Sequence, residues 1–206
     1  MLNFSYCNPT RIIFGAGQIA QLGKQVPTGA TVLMLYGGGS IKHNGVYAQV
    51  TSALAGRRVL EFGGIEPNPG YETLMGAVAL ARAEKVDYLL AVGGGSVIDA
   101  SKFVAAAVPF AGEPWDILAK RATIESALPL GCVLTLPATG SESNNGAVIT
   151  RKATQDKLKD PAQRTRARKE VAETIANERG GGDPANVALA LCNHDASLAG
   201  KNIAQV

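Results

Sequence analysis

Aromatic residues, cysteines and histidines are scarce in this sequence, and each shortage excludes something. Aromatics make up 5% of the 206 residues and none follows Trp115, so the C-terminal part has little with which to build a core of its own. The three cysteines, Cys7, Cys132 and Cys192, are odd in number and form no C-x-x-C pair. A disulfide framework and a structural zinc site are therefore excluded, and three reduced thiols in a cytoplasmic protein are expected. The longest apolar runs, such as Thr31 to Tyr36 and Tyr88 to Val92, fall far short of the roughly 20 residues of a membrane helix. No charged segment followed by an apolar one opens the chain, so neither a membrane nor an export signal is expected. Charge of one sign is also lacking, since residues 1–150 hold 10 Lys/Arg against 10 Asp/Glu and the net +3 comes entirely from residues 151–206. The concentrated basic face of a nucleic-acid binder is absent, and the run from Arg164 to Lys169 is expected to be a solvated face.

Present instead are 46% hydrophobic residues and 24 glycines, in a chain long enough for one ordinary domain with a small appendage. Five β-rich runs stand out: Arg11 to Phe14, Thr31 to Tyr36, Arg58 to Phe62, Tyr88 to Val92 and Cys132 to Leu136. From the second onward they are almost continuously apolar, the pattern of parallel strands covered on both faces. Stretches with helical spacing separate them, as in Tyr71 to Glu84, where Leu74, Val78 and Ala81 recur at three and four residues. The alternation predicts an α/β fold, an open Rossmann-like parallel sheet with flanking helices. Residues 1–158 form this unit, and residues 159–206 are expected to be an Ala/Arg-rich tail, helical or partly disordered. Within the tail, Pro161 to Arg179 carries a narrow stripe of Ala167, Val171 and Ile175, and Asp183 with Pro184 reads as the start of a second helix ending near Gly200.

Three loops carry the chemistry. Tyr88 to Asp99 is a buried strand running into Gly93-Gly94-Gly95-Ser96 and an apolar helix. Glycines allow close backbone approach and a helix start offers free N–H groups, so the alternatives are a phosphate site and a bare strand-to-helix turn. It is neither G-x-G-x-x-G, because Ile98 stands where glycine is needed, nor a P-loop, because no Gly-Lys-Ser/Thr follows. A second loop, Gly37-Gly38-Gly39-Ser40, follows the strand Thr31 to Tyr36. It lacks the acidic residue that would bind an adenosine ribose and has Lys42 nearby, which suits a 2′-phosphate; a flexible turn is the alternative. The third, Thr135 to Asn145, is a run of hydroxyls and amides, common in ordinary loops but a candidate third wall of the same crevice.

Taken together, Asn8-Pro-Thr-Arg-Ile-Ile-Phe-Gly15, Tyr36-Gly-Gly-Gly-Ser-Ile-Lys42, Phe62-Gly-Gly-Ile-Glu-Pro-Asn-Pro69, Gly93-Gly-Gly-Ser-Val-Ile-Asp-Ala-Ser-Lys102 and Leu134-Thr-Leu-Pro-Ala-Thr-Gly-Ser-Glu-Ser-Asn144 give the chain a family likeness. Over residues 1 to 158 it resembles the cofactor domain of the iron-containing, group III alcohol dehydrogenases, in their NADPH-dependent butanol dehydrogenase and aldehyde reductase branch. The resemblance implies NADP(H) as cofactor and a short-chain alcohol or aldehyde as substrate. It assigns Gly38, Gly39 and Ser40 to the 2′-phosphate, Asn68 to the adenosine side, and Gly94, Gly95 and Ser96 to the pyrophosphate, with Asp99, Thr135, Asn144 and Lys157 lining the cleft.

The resemblance also implies a divalent metal, iron or zinc, held by an Asp and three His of a helical domain. This sequence has two histidines, His43 and His194, so that ligand set is missing. Beyond Lys157 the likeness stops, which fits a divergent end, a truncation or a frame-shifted remainder. Three functions follow as expectations: part of an NADP(H)-linked oxidoreductase, inactive as a single chain; a non-catalytic NADPH-binding module or truncated remnant; or an assembly piece whose uncovered apolar face favours homo-oligomers.

Overall fold

The computed structural model describes residues 10–153, 156–159 and 186–192. Among these residues the strands are β1 (Arg11–Ala16), β2 (Thr31–Tyr36), β3 (Arg58–Phe62), β4 (Tyr88–Gly94), β5 (Leu130–Leu136), β6 (Val148–Arg151), β7 (Asp156–Lys159) and β8 (Asn186–Cys192). The α-helices among them are α1 (Leu22–Gln25), α2 (Val46–Ala53), α3 (Tyr71–Ala83), α4 (Gly95–Ala107) and α5 (Asp116–Ala119). All five expected strands are present, and the helix expected from Tyr71 is α3.

Six strands form one sheet in the order β1-β8-β5-β4-β2-β3, while β6 and β7 make an antiparallel pair of their own. β3, β2, β4 and β5 are parallel, and β8 runs antiparallel to both β5 and β1. Side chains alternate across a strand, and the two faces of the sheet carry separate cores. Leu33, Leu35, Leu89, Ala91, Cys132 and Leu134 pack with α3, α4 and Trp115. Val32, Met34, Tyr36, Leu90, Val92 and Val133 pack with Ile19, Leu22, Val46 and Val50 on the other side. The interior strands are apolar throughout because both of their faces are covered.

The connection from β2 to β3 passes through α2 on one face, and the connections through α3 and α4 pass on the other. From β2 the chain steps outward to β3, then crosses back over β2 to β4 and continues away to β5. The direction reverses between β2 and β4, and the crevice at their carboxyl ends is where open α/β sheets receive ligands.

The tail corrects one expectation. Residues 186–192 form strand β8, in place of the helix expected from Pro184 to Gly200. Asn-Val-Ala-Leu-Ala-Leu-Cys alternates larger and smaller apolar residues, which suits a ladder with a neighbour on each side, and that pairing overrides the capping signal before it. The helix expected over 161–179 lies outside the described residues. Among the described residues no helix is long and apolar enough to cross a membrane.

Candidate functional site

The loop after β2 is fixed by backbone bonds to the segment after β3. Gly64 N donates to Gly37 O at 3.0 Å and Ile65 N to Tyr36 O at 3.2 Å. Gly37 is close-packed as a result, and a Cβ there would come 3.3 Å from Ile65 O. Gly39 has φ +100°, a conformation glycine adopts without strain, and Ser40–Lys42 then forms a single 3-10 turn. A cleft of about 430 Å³ results, with Tyr36, the three glycines, Lys42 and His43 on one side and Gly63 and Gly64 on the other. Ser40 is exposed at its rim.

Lys42 stands at this cleft among aromatic and acidic neighbours. Its ammonium lies 5.0 Å from the centroids of both Tyr36 and Tyr47, and 3.4 Å from Glu61 Oε2. The Tyr36 hydroxyl and then the Glu61 carboxylate raise the Lys42 pKa. Hydrogen bonding by Tyr47 foremost, with Tyr36 and Lys42 adding to it, holds the Glu61 carboxyl below its ordinary value.

The second loop lies at the end of β4, next to β2 in the sheet. α4 starts at Gly95 without a side-chain cap and without an acidic residue in its first turn, so its first N–H groups face the crevice end of the sheet unpartnered by any cap. Close approach explains two of the glycines. A Cβ on Gly93 would come 2.7 Å from Val97 Cγ2, and one on Gly95 would come 2.8 Å from Thr139 Oγ1 and 3.3 Å from Ser141 Oγ. Those two hydroxyls, 2.8 Å apart, bring the third loop against the helix start. Thr135 is half-buried on β5, and the next residue, Leu136, is 67% exposed beside Gly94.

The structure puts Asp99 and Asn144 to a use that the sequence does not show. Both face Lys102, whose side chain is only 9% exposed. Lys102 Nζ is 3.0 Å from Asp99 Oδ1 and donates to Asn144 Oδ1 at 3.0 Å, to Ser141 O at 3.0 Å and to Gly146 O. Asp99 Oδ2 accepts from Val148 N at 3.1 Å, while Asn144 Nδ2 donates to Gly140 O at 2.8 Å. These side chains bind α4 to the third loop and to β6. Lys102 is the residue that motif reasoning passes over; its signal is a lysine in a largely apolar helix, three residues after an aspartate.

Asn68 stands exposed in the loop after β3 with φ +55°. The adjoining Pro69 O accepts from Thr150 N at 2.9 Å, and Lys157 is opposite Thr150 in the β6–β7 ladder. The backbone therefore brings Asn68 and Lys157 to one edge. His43 is at the first loop, and His194 lies outside the described residues. Among the described residues no three His, Cys, Asp or Glu side chains gather where they could hold a metal ion.

A family model of iron-containing alcohol dehydrogenases matches residues 9–167. The NADPH-dependent aldehyde reductase YqhD of Escherichia coli (strain K12) is 62% identical over 160 residues, 76% of this chain and 41% of that protein. The probable NADH-dependent butanol dehydrogenase 2 of Bacillus subtilis (strain 168) is 53% identical over 161 residues, 77% of this chain and 41% of that protein. Among solved structures, that of Escherichia coli K-12 YqhD superposes with a TM-score of 0.74 at 61% identity, covering 76% of this chain and 41% of that one. The NADH-dependent butanol dehydrogenase A of Thermotoga maritima also gives 0.74, at 46% identity, with 76% and 40% covered. The chain thus spans about two fifths of the length of these relatives. With the sheet order, the paired glycine loops and the match across most of its length in agreement, the chain belongs to the iron-containing alcohol dehydrogenase family.

Proposed function

We propose that this chain binds NADP(H) across the carboxyl ends of β2, β4 and β5, as the cofactor-binding part of an oxidoreductase for short-chain aldehydes and alcohols. One observation carries the reading: two glycine loops stand side by side where the sheet reverses direction, one with Lys42 beside it and the other opening the 13-residue helix α4. The cradle fits a phosphate at Gly38 and Gly39, which line the cleft and where no protein atom lies within 4 Å of the place a Cβ would take, so the backbone is open to a ligand there.

In this reading Gly38, Gly39 and Ser40 hold the 2′-phosphate with Lys42 at the same cleft, and Asn68 meets the adenosine side. Gly94, Gly95 and Ser96 offer backbone N–H groups to the pyrophosphate at the α4 N-terminus. Thr135 on β5 and Lys157 on β7 are assigned to the same cofactor. Asp99 and Asn144 act from behind the wall, by fixing the third loop through Lys102. The bound nicotinamide supplies the hydride, and the protein supplies binding and orientation.

The metal is a different matter. Two histidines in the whole sequence cannot supply the three that the family resemblance implies, and the described residues gather no alternative set. The single chain is therefore expected to bind cofactor without reducing aldehydes. A non-catalytic NADPH-binding module is the second reading, favoured by the same histidine count. Fluorescence titration of the purified chain with NADPH and NADH tests the binding; NADPH should bind more tightly, and failure of both to bind would refute it. Aldehyde-dependent NADPH oxidation by the purified chain would refute the expectation of inactivity.

A further inference from the structure

Behind Lys42, and not among the residues lining the cleft, stands the carboxylate of Glu61 on β3. Both of its oxygens are engaged. Tyr47 Oη donates to Oε1 at 2.5 Å, Tyr36 Oη donates to Oε2 at 3.0 Å, and Lys42 Nζ lies 3.4 Å from Oε2. Tyr36 is itself immobilised: it is 8% exposed, and Gly63 packs so close that a Cβ there would come 2.5 Å from the ring. Lys42 by contrast is 44% exposed on a flexible stem. A fixed anion therefore sits behind a movable cation, and the cation is the one that faces the cleft.

We propose that Glu61 sets how strongly this chain distinguishes a dinucleotide with a 2′-phosphate from one without it, by competing with that phosphate for the Lys42 ammonium. The inference rests on the cofactor reading above. A phosphate monoester brings up to two negative charges, and an ammonium has three protons to donate. When the phosphate enters, the tyrosine hydroxyls keep the Glu61 carboxylate in place, so Lys42 must either leave it or share its charge between two anions. Both choices weaken the preference for the phosphorylated dinucleotide below what Lys42 alone would give. Glu61 is thus a positioning residue that acts through Lys42.

The experiment measures the dissociation-constant ratio of NADH to NADPH for the purified chain and for Glu61→Gln, Lys42→Met and the double variant. Glu61→Gln keeps the shape and removes the charge, and it should raise the ratio by up to about fivefold, the upper end of the range of an exposed ion pair. Lys42→Met should lower the ratio about tenfold, as loss of a charged hydrogen bond does. In the double variant the effect of Glu61→Gln should vanish, because Lys42 transmits it. An unchanged or lowered ratio in Glu61→Gln overturns the proposal, as does a rise that persists undiminished without Lys42. If Glu61→Gln does not fold by circular dichroism, Glu61→Ala must show the same rise or the proposal fails. A folded wild-type chain that binds neither nucleotide refutes the cofactor reading itself; binding of both with no response to Glu61→Gln refutes only this inference.

Discussion

At the scale of single residues, the site depends on contacts too close for a side chain. Gly95 is the clearest case, since a Cβ would stand 2.8 Å from Thr139 Oγ1 at the start of α4. Gly95→Ala should push the third loop away from the helix, at about 1–3 kcal/mol for overpacking. It should weaken NADPH and NADH together and leave their ratio unchanged, because the pyrophosphate is common to both. A changed ratio in parallel titrations would show that the two glycine loops are not separate subsites. Tyr71 gives a test of stability. Its burial first, and its hydrogen bond to Glu113 next, push its pKa up to about 12 from an ordinary 10. The folded chain keeps this proton after the unfolded chain has lost it, so the contribution is complete below pH 10 and disappears as the pH rises toward 12. Wild-type unfolding free energy should fall more steeply over that interval than that of Tyr71→Phe; parallel slopes in urea titrations would contradict the assignment. The glycine loops themselves were legible in the sequence, because glycine triplets after apolar strands have few structural uses. The i,i+3 spacing of Asp99 and Lys102 was open to view on the helix, but the engagement of Asn144 by Lys102 was not, because it joins residues 42 positions apart through a loop without periodicity.

Elements were legible to the extent that burial forces a pattern. β2, β4 and β5 lie inside the sheet and read as apolar runs, and α3 shows helical spacing because one stripe of it faces the core. β6 and β7 are four residues each and rich in polar groups, so nothing in the sequence separates them from a loop. What positions β6 is chemistry, not propensity. Lys102 on α4 holds the loop leading into it, and Arg151 at its end lies 5.1 Å from the Tyr71 ring centroid and 5.4 Å from that of Trp115. Lys102→Met should be among the most damaging substitutions in the chain. It leaves Asp99 without its counter-charge and strips carbonyls of the third loop of their donor, a loss of about 3–5 kcal/mol. Asp99→Asn in the same chain should recover part of that loss by removing the stranded charge. If urea denaturation finds Lys102→Met within about 0.5 kcal/mol of wild type, the value of a neutral surface change, the coupling of α4 to this loop is refuted.

For the whole molecule, the sheet divides into a half that holds the cleft and a half that holds the tail. β3, β2 and β4 meet the first two glycine loops, whereas among the described residues β1 is joined to the rest of the sheet only through β8, which pairs with it over six residues and with β5 over five. A strand in that position has a ladder on each side, so a proline there removes a bonded N–H and leaves its acceptor unpaired, at a cost of about 1–3 kcal/mol. Leu189 is the test position, because it is paired with Ile13 on one side and Val133 on the other. Leu189→Pro should lower the urea midpoint and release β1, seen as faster hydrogen exchange over Arg11–Ala16. Because the cleft lies at the far side of β4, the folded fraction should still bind NADPH more tightly than NADH. An unchanged midpoint would mean that residues 186–192 do not complete the sheet. A lost nucleotide preference would mean that the tail half sets the shape of the cleft, and that the two halves act as one unit in binding.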